Sequence, residues 1–167
     1  MDESPLLHPM SRETLTHRGI LGALAGLVAG VPMGVLMHLG TDIVPWLGLF
    51  LGETSAVYGW VVHLFTSAVF GVLFAVFVSL RFFEELAASV TGSTILGVAH
   101  GMVLSFVTIG VALPIVTEVL VPREAAAGEV LAPTAAGFGA SVVFGLAHLV
   151  YGVVLGVIYG YYHESLE

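Results

Sequence analysis

The chain has 167 residues, 57% hydrophobic and 10% charged, with a mean hydropathy of +1.03, whereas a soluble domain carries about 25% charged residues. Such a composition calls for a bilayer rather than an aqueous surface. Four arginines, no lysine and twelve acids give a formal net charge of -8, which argues against nucleic acid and against a polybasic contact with anionic lipid, and the absence of cysteine excludes disulfides, iron–sulfur clusters and thiolate metal sites.

Residues 1–18 hold Pro5, Pro9 and mixed charge and read as an N-terminal tail. Residues 19–167 then read as one membrane domain. A spanning helix needs about 20 apolar residues, and four stretches qualify, at about 19–39, 56–80, 90–113 and 138–162. Arg12 and Arg18 precede the first stretch in the manner of a signal peptide, but the run is longer than a usual h-region and no cleavage site follows, so it reads as a retained span. In it Gly22, Gly26, Gly30 and Gly34 recur every fourth residue and lead to His38. Pro32 in the first stretch and Pro114 after the third are expected kink points. A short connector carries Asp42, with Asp42 expected one turn from His38, and also Pro45 and Glu53.

The second stretch carries His63, then Ser67, Gly71, Ala75 and Ser79 at the same spacing; the third carries His100; the fourth carries His148, then Gly152, Gly156 and Gly160. Small residues at every fourth position let helix backbones approach closely inside lipid. Ionisable side chains there are costly and face the bundle interior. Trp46, Tyr58, Trp60, Tyr161 and Tyr162 fall near span ends, as in any interfacial belt. The expected fold is therefore all-α, a four-helix transmembrane bundle.

His63-Leu-Phe-Thr-Ser-Ala-Val-Phe-Gly-Val-Leu-Phe74 aligns with His148-Leu-Val-Tyr-Gly-Val-Val-Leu-Gly-Val-Ile-Tyr159, and Ile20-Leu-Gly22 aligns with Ile95-Leu-Gly97. These matches imply an internal repeat of two similar helical hairpins, related by an axis along the membrane normal.

One histidine per span suggests a shared site, with His63, His100 and His148 converging and His38 at its mouth. The sharpest reading is b-type haem, with His63 and His148 as axial ligands from equivalent places in the two halves and His100 nearby. Ser67 and Gly152 one turn along, continued by Gly71 and Gly156, would leave a slot for the macrocycle, unless they serve close helix packing instead. No Cys-x-x-Cys-His occurs, so covalent haem attachment is excluded. Imidazole also suits Zn, Cu, Fe and Ni, although no span carries two histidines at i, i+3 or i, i+4 and none carries a deep carboxylate. Thr66, Ser67, Ser105, Thr108 and Ser141 could line a wet path for a small channel or transporter. A non-enzymatic accessory or assembly subunit, with histidines that only pack, is the remaining alternative. No phosphate-cradling loop, nucleophile elbow or His-Glu-x-x-His is present, which leaves no place for nucleotide or for hydrolytic residues. The implied partners are the bilayer and either membrane subunits or further copies of the chain.

Gly59-Trp-Val-Val-His-Leu64 and Gly145-Leu-Ala-His-Leu-Val-Tyr-Gly152 resemble segments of a group of small four-helix membrane proteins common in halophilic archaea. The resemblance covers nearly the whole chain after residue 19. It implies the same fold and a salt-loving host, in keeping with the acidic, lysine-free composition, and it transfers no catalytic residue. Some proteins of that group carry kinase-like labels, for which this chain has no ATP-binding machinery.

With four spans both termini share one side. Arg12, Arg18 and Arg81 fall on that side and Arg123 on the other, so the arginine excess places both termini in the cytoplasm of a cell-membrane protein. A cysteine introduced at Thr54 should then react with an impermeant maleimide in intact cells, whereas one at Ser4 or Ser165 should not; labelling of either terminus from outside reverses the orientation.

Overall fold

The computed structural model describes residues 12–41, 43–112 and 137–164. Helix α1 spans Arg12–Gly40, α2 is a single turn at Val44–Leu47 continued by a 3-10 turn at Gly48–Leu51, and α3 spans Ala56–Val78. Helix α4 covers Arg81–Ala87, α5 covers Val90–Val107 with a π turn at Thr108–Ala112, and α6 covers Gly137–Glu164. Among the described residues, four helices are long and apolar enough to cross a membrane. The chain is a multi-pass integral membrane protein with an all-α bundle fold.

The spans agree with the expected ones except at the front. Helix α1 begins at Arg12 rather than Gly19, so residues 12–18, assigned to the tail, are helical. Their polarity places this added length at the membrane edge, where Arg18 donates to Glu84 of α4 at 3.2 Å and to Ser79, just after α3, at 3.3 Å. Helix α1 runs through Pro32 without a break. Pro114 and Asp42 lie outside the described residues.

The outward faces are apolar all round, with Leu24 and Val28 of α1, Phe65 and Leu73 of α3, Val103 and Phe106 of α5, and Leu146 and Val157 of α6 all exposed. Such faces suit hydrocarbon and not water. With lipid outside, apolar burial supplies little drive between helices, so close packing must hold them together.

Two helix pairs carry that packing, α1 with α3 and α5 with α6, and α1 also lies along α6. A Cβ on Gly22 would strike the Gly71 carbonyl oxygen, one on Gly26 the Ser67 carbonyl oxygen, and one on Gly71 the Gly22 carbonyl oxygen. In the other pair, a Cβ on Gly97 would strike the Gly152 carbonyl oxygen, one on Gly101 that of His148, and one on Gly156 would come within 2.5 Å of that of Ser93. Backbone thus lies on backbone in both pairs. The contact register makes Gly26, against Ser67 and Gly71, the counterpart of Gly97, against Gly152 and Gly156. It differs by one turn from the sequence match of Gly22 with Gly97. Apolar glycine-rich helices align well in several registers, and only the facing backbone selects one.

Helices α3 and α6 stand diagonally and meet through long side chains. The Tyr151 hydroxyl donates to the Ser67 carbonyl at 2.7 Å, and Tyr159 meets Phe74 edge-on with ring centroids 5.4 Å apart. Tyr151, Tyr159, Phe74, Phe144 and Leu155 are the largest buried side chains. At one end, the turn α2 folds back on the start of α3, where Gly59 leaves room for the Val44 carbonyl. Gly52, with φ of +102°, ends the 3-10 turn in the left-handed region open to glycine. At the other end, α4 docks through Phe83 on Phe77, with ring centroids 4.3 Å apart.

Gly26→Leu or Gly71→Leu should force the α1–α3 backbones apart and destabilise the bundle by at least the roughly 1–3 kcal/mol typical of overpacking. Gly145→Ala, whose added Cβ meets nothing within 4 Å, should leave the thermal unfolding temperature in detergent unchanged. Equal behaviour of all three variants would contradict the backbone contact.

Candidate functional site

The four spans and the α2 cap enclose a cavity of about 220 Å3, lined by side chains of all five elements. Met33 and Met37 enter it from α1, His63, Thr66, Ser67 and Phe70 from α3, Leu104 and Thr108 from α5 and its π turn, and Phe144, His148 and Tyr151 from α6. Ile43, Leu47 and Phe50 form its lid. His63 and His148 are each 3% exposed and line this one cavity from diagonal helices.

Helix geometry dictates how each ring is held. Gly34 leaves open the part of α1 that the His63 ring and Trp60 fill, a Cβ there lying 2.8 Å from Cδ2 of His63, and Gly30 makes room for the Ser67 side chain. His63 Nε2 lies 2.9 Å from the Gly30 carbonyl oxygen, and Trp60 meets the same ring edge-on at 5.7 Å. His148 turns back on its own helix, with Nδ1 2.9 Å from the Phe144 carbonyl oxygen and its ring against that of Phe144 at 4.6 Å.

A carbonyl oxygen can only accept, so His63 Nε2 and His148 Nδ1 both carry the proton. In neutral imidazoles the other nitrogens, His63 Nδ1 and His148 Nε2, are then bare lone pairs. The neighbouring hydroxyl protons are also committed. Thr66 donates to the carbonyls of Val62 and His63 at 3.0 and 2.9 Å, Ser67 to that of His63 at 2.7 Å, and Tyr151 to that of Ser67. What these five side chains present to the cavity is acceptors. The methionine sulfurs add two weak, polarisable ones.

Among the site residues expected from the sequence, His63, His148 and Ser67 line the cavity, whereas Gly71, Gly152, Gly156 and His100 do not. The macrocycle slot is absent. Ser67 and Gly71 are filled by the α1 backbone, and Gly152 and Gly156 by the α5 backbone. The packing use of small residues has displaced the spacing use, because in lipid close approach is what joins the helices. His100 sits apart on α5, its ring 5.4 Å from Phe74 and its Nε2 buried without a hydrogen bond. His38 lies beside Trp60 at 6.3 Å, outside the cavity wall. Convergence of three histidines is thus reduced to two.

Sequence reasoning missed Tyr151, Met33 and Met37. Tyr151 had a signal: a phenol deep in an apolar span needs a partner, and the Ser67 carbonyl is that partner. Met33 and Met37 are four residues apart and so share a helix face, but methionine in a membrane helix is ordinary filler.

Tyr151→Phe should remove one buried hydrogen bond at almost constant volume, leaving the Ser67 carbonyl with only its partner within α3, and cost about 1 kcal/mol, seen as a lowered unfolding temperature. Tyr161→Phe, at an exposed site, should have no effect.

Comparison with known protein families, characterised proteins and solved structures finds no match to this chain, so its function is read from its own geometry.

Proposed function

We propose that the protein is a membrane-embedded binding subunit whose cavity, between His63 and His148, holds one small ligand without converting it. The observation that carries this reading is the polarity of the cavity: a largely apolar space in which His63, His148, Thr66, Ser67 and Tyr151 have given their protons to backbone carbonyls. Such a site takes a ligand that donates a hydrogen bond or that accepts a lone pair as a Lewis acid. It rejects anions and bare carbonyl compounds, which bring only further acceptors. Size agrees with a single ring, since an apolar cavity of about 150 Å3 already holds benzene.

Haem b between His63 and His148 is supported by the shared cavity and by ring N–H groups that donate to carbonyls, as ligating imidazoles do. Three features weigh against it. The cavity is smaller than the roughly 300–1,000 Å3 of pockets for drug-sized ligands. The slot residues are buried in helix contacts. His63 offers Nδ1, the nitrogen crowded by its own Cβ, toward a flat porphyrin face. The reading as a small accessory subunit with both termini in the cytoplasm, built by duplication of a hairpin and kin to the halophile group, is consistent with the acidic composition, the arginine asymmetry and the like contacts of Gly26 and Gly97.

Two titrations test the binding reading. In a Trp46→Phe background, Trp60 fluorescence should report phenol binding to detergent-purified protein. Phenol should bind about tenfold more tightly than anisole, which lacks the donor proton, as expected for one hydrogen bond of about 1.4 kcal/mol. The preference should vanish in His148→Phe. Equal affinity for phenol and anisole would reject an acceptor-lined site. A dithionite-reduced minus oxidised absorbance spectrum, with loss of the signal in His63→Ala and His148→Ala, would instead restore haem.

A further inference from the structure

Four of the acceptors that line the cavity are soft or borderline and neutral: the thioethers of Met33 and Met37, Nδ1 of His63 and Nε2 of His148. Met33 and Met37 are 8% and 4% exposed and lie one turn apart on α1, so both thioethers reach the cavity from the same side. The histidines enter from α3 and α6. Among the described residues no three of His, Cys, Asp and Glu come together, so a site for Zn2+ or for a hard cation has neither the ligand count nor the negative charge it needs.

Thioether and imidazole ligands select Cu(I). Charge points the same way. The Born cost of an ion in a low-dielectric interior grows with the square of its charge, so a monovalent ion held by neutral ligands escapes most of the penalty a divalent one would meet. The histidines are prepared for a metal in a further respect. Ligating imidazoles almost always donate their other ring N–H to a carboxylate, backbone carbonyl or water, which sets the tautomer and leaves the lone pair free. Gly30 and Phe144 supply those carbonyls, at 2.9 Å each.

We infer that the cavity is a Cu(I) site, with His63 Nδ1, His148 Nε2 and the sulfurs of Met33 and Met37 as its ligands. The inference rests on the binding reading above and names the Lewis acid that such a cavity favours. Trp60, edge-on to His63, lies close enough to sense the ion. Ile43, Leu47 and Phe50 make the α2 side of the site apolar.

The test uses the full chain in detergent, kept anaerobic with ascorbate, and bicinchoninate as the competing Cu(I) chelator. One Cu(I) per chain should be withdrawn from the chelator, a tenfold excess of Zn2+ should not displace it, and X-ray absorption should show both sulfur and nitrogen neighbours. The double variant Met33→Leu/Met37→Leu keeps the packing volume and should weaken Cu(I) binding at least tenfold, with its unfolding temperature close to that of the parent. His148→Phe should weaken it comparably while the Arg18–Glu84 end is untouched. Unchanged Cu(I) affinity in the methionine variant, or displacement by Zn2+, would overturn the inference. If Cu(I) stays with the chelator while phenol still binds in a His148-dependent way, copper falls and the binding reading stands. If neither binds, both fall.

Discussion

Backbone-to-backbone contact between helices is the constraint from which the rest of this bundle follows. In water, α1 and α3 would be held by burying apolar side chains; in lipid the hydrocarbon is as apolar as leucine, and that drive is lost. Gly22, Gly26, Ser67 and Gly71 on one seam, and Gly97, Gly101, Gly152 and Gly156 on the other, replace it with close approach of main chains. Dispersion between many atoms at van der Waals distance then does what burial cannot. The seams also explain why large side chains such as Tyr151, Tyr159 and Phe74 converge on the diagonal between α3 and α6. With the pairs zipped tightly, the space left over lies between them.

That leftover space decides the chemistry. Toward α4 it is filled by Phe74, Tyr159 and Leu155, each no more than 0% exposed. Toward α2 it stays open as the 220 Å3 cavity, because Gly34 admits the His63 ring into the α1–α3 seam and His148 folds back on Phe144. Both imidazoles are thereby drawn toward carbonyls at the wall, and their lone pairs remain available. Water is absent from hydrocarbon, so polar groups seek partners within the protein, and here the protons of His63, His148, Thr66, Ser67 and Tyr151 are spent on backbone carbonyls. The preference for a proton donor or a Lewis acid proposed for this site would be a by-product of how the helices satisfy their own hydrogen bonds.

The same logic separates the histidines. His63 and His148 have carbonyl partners and line the cavity, whereas His100 packs against Phe74 away from it, with an unmet Nε2. One histidine per span therefore does not mean one shared centre. Residues 12–18 are polar yet helical, and the Arg18 contact with Ser79 and Glu84 ties this end of α1 to the rest of the bundle.

Hydropathy and the four-residue spacing of small residues were enough to read the bilayer, the four spans and the seam residues, because span length and close approach depend on composition and periodicity along one helix. They also singled out His63 and His148, both of which are buried. The use of the small residues was decided only in three dimensions, where Ser67, Gly71, Gly152 and Gly156 are filled by neighbouring backbone instead of flanking a macrocycle. The same holds for the one-turn register between the seams, for Met33 and Met37 as cavity walls, and for the tautomers of His63 and His148. Each of these depends on which atom of another helix stands opposite, and a helix's own sequence carries no record of its partner's register.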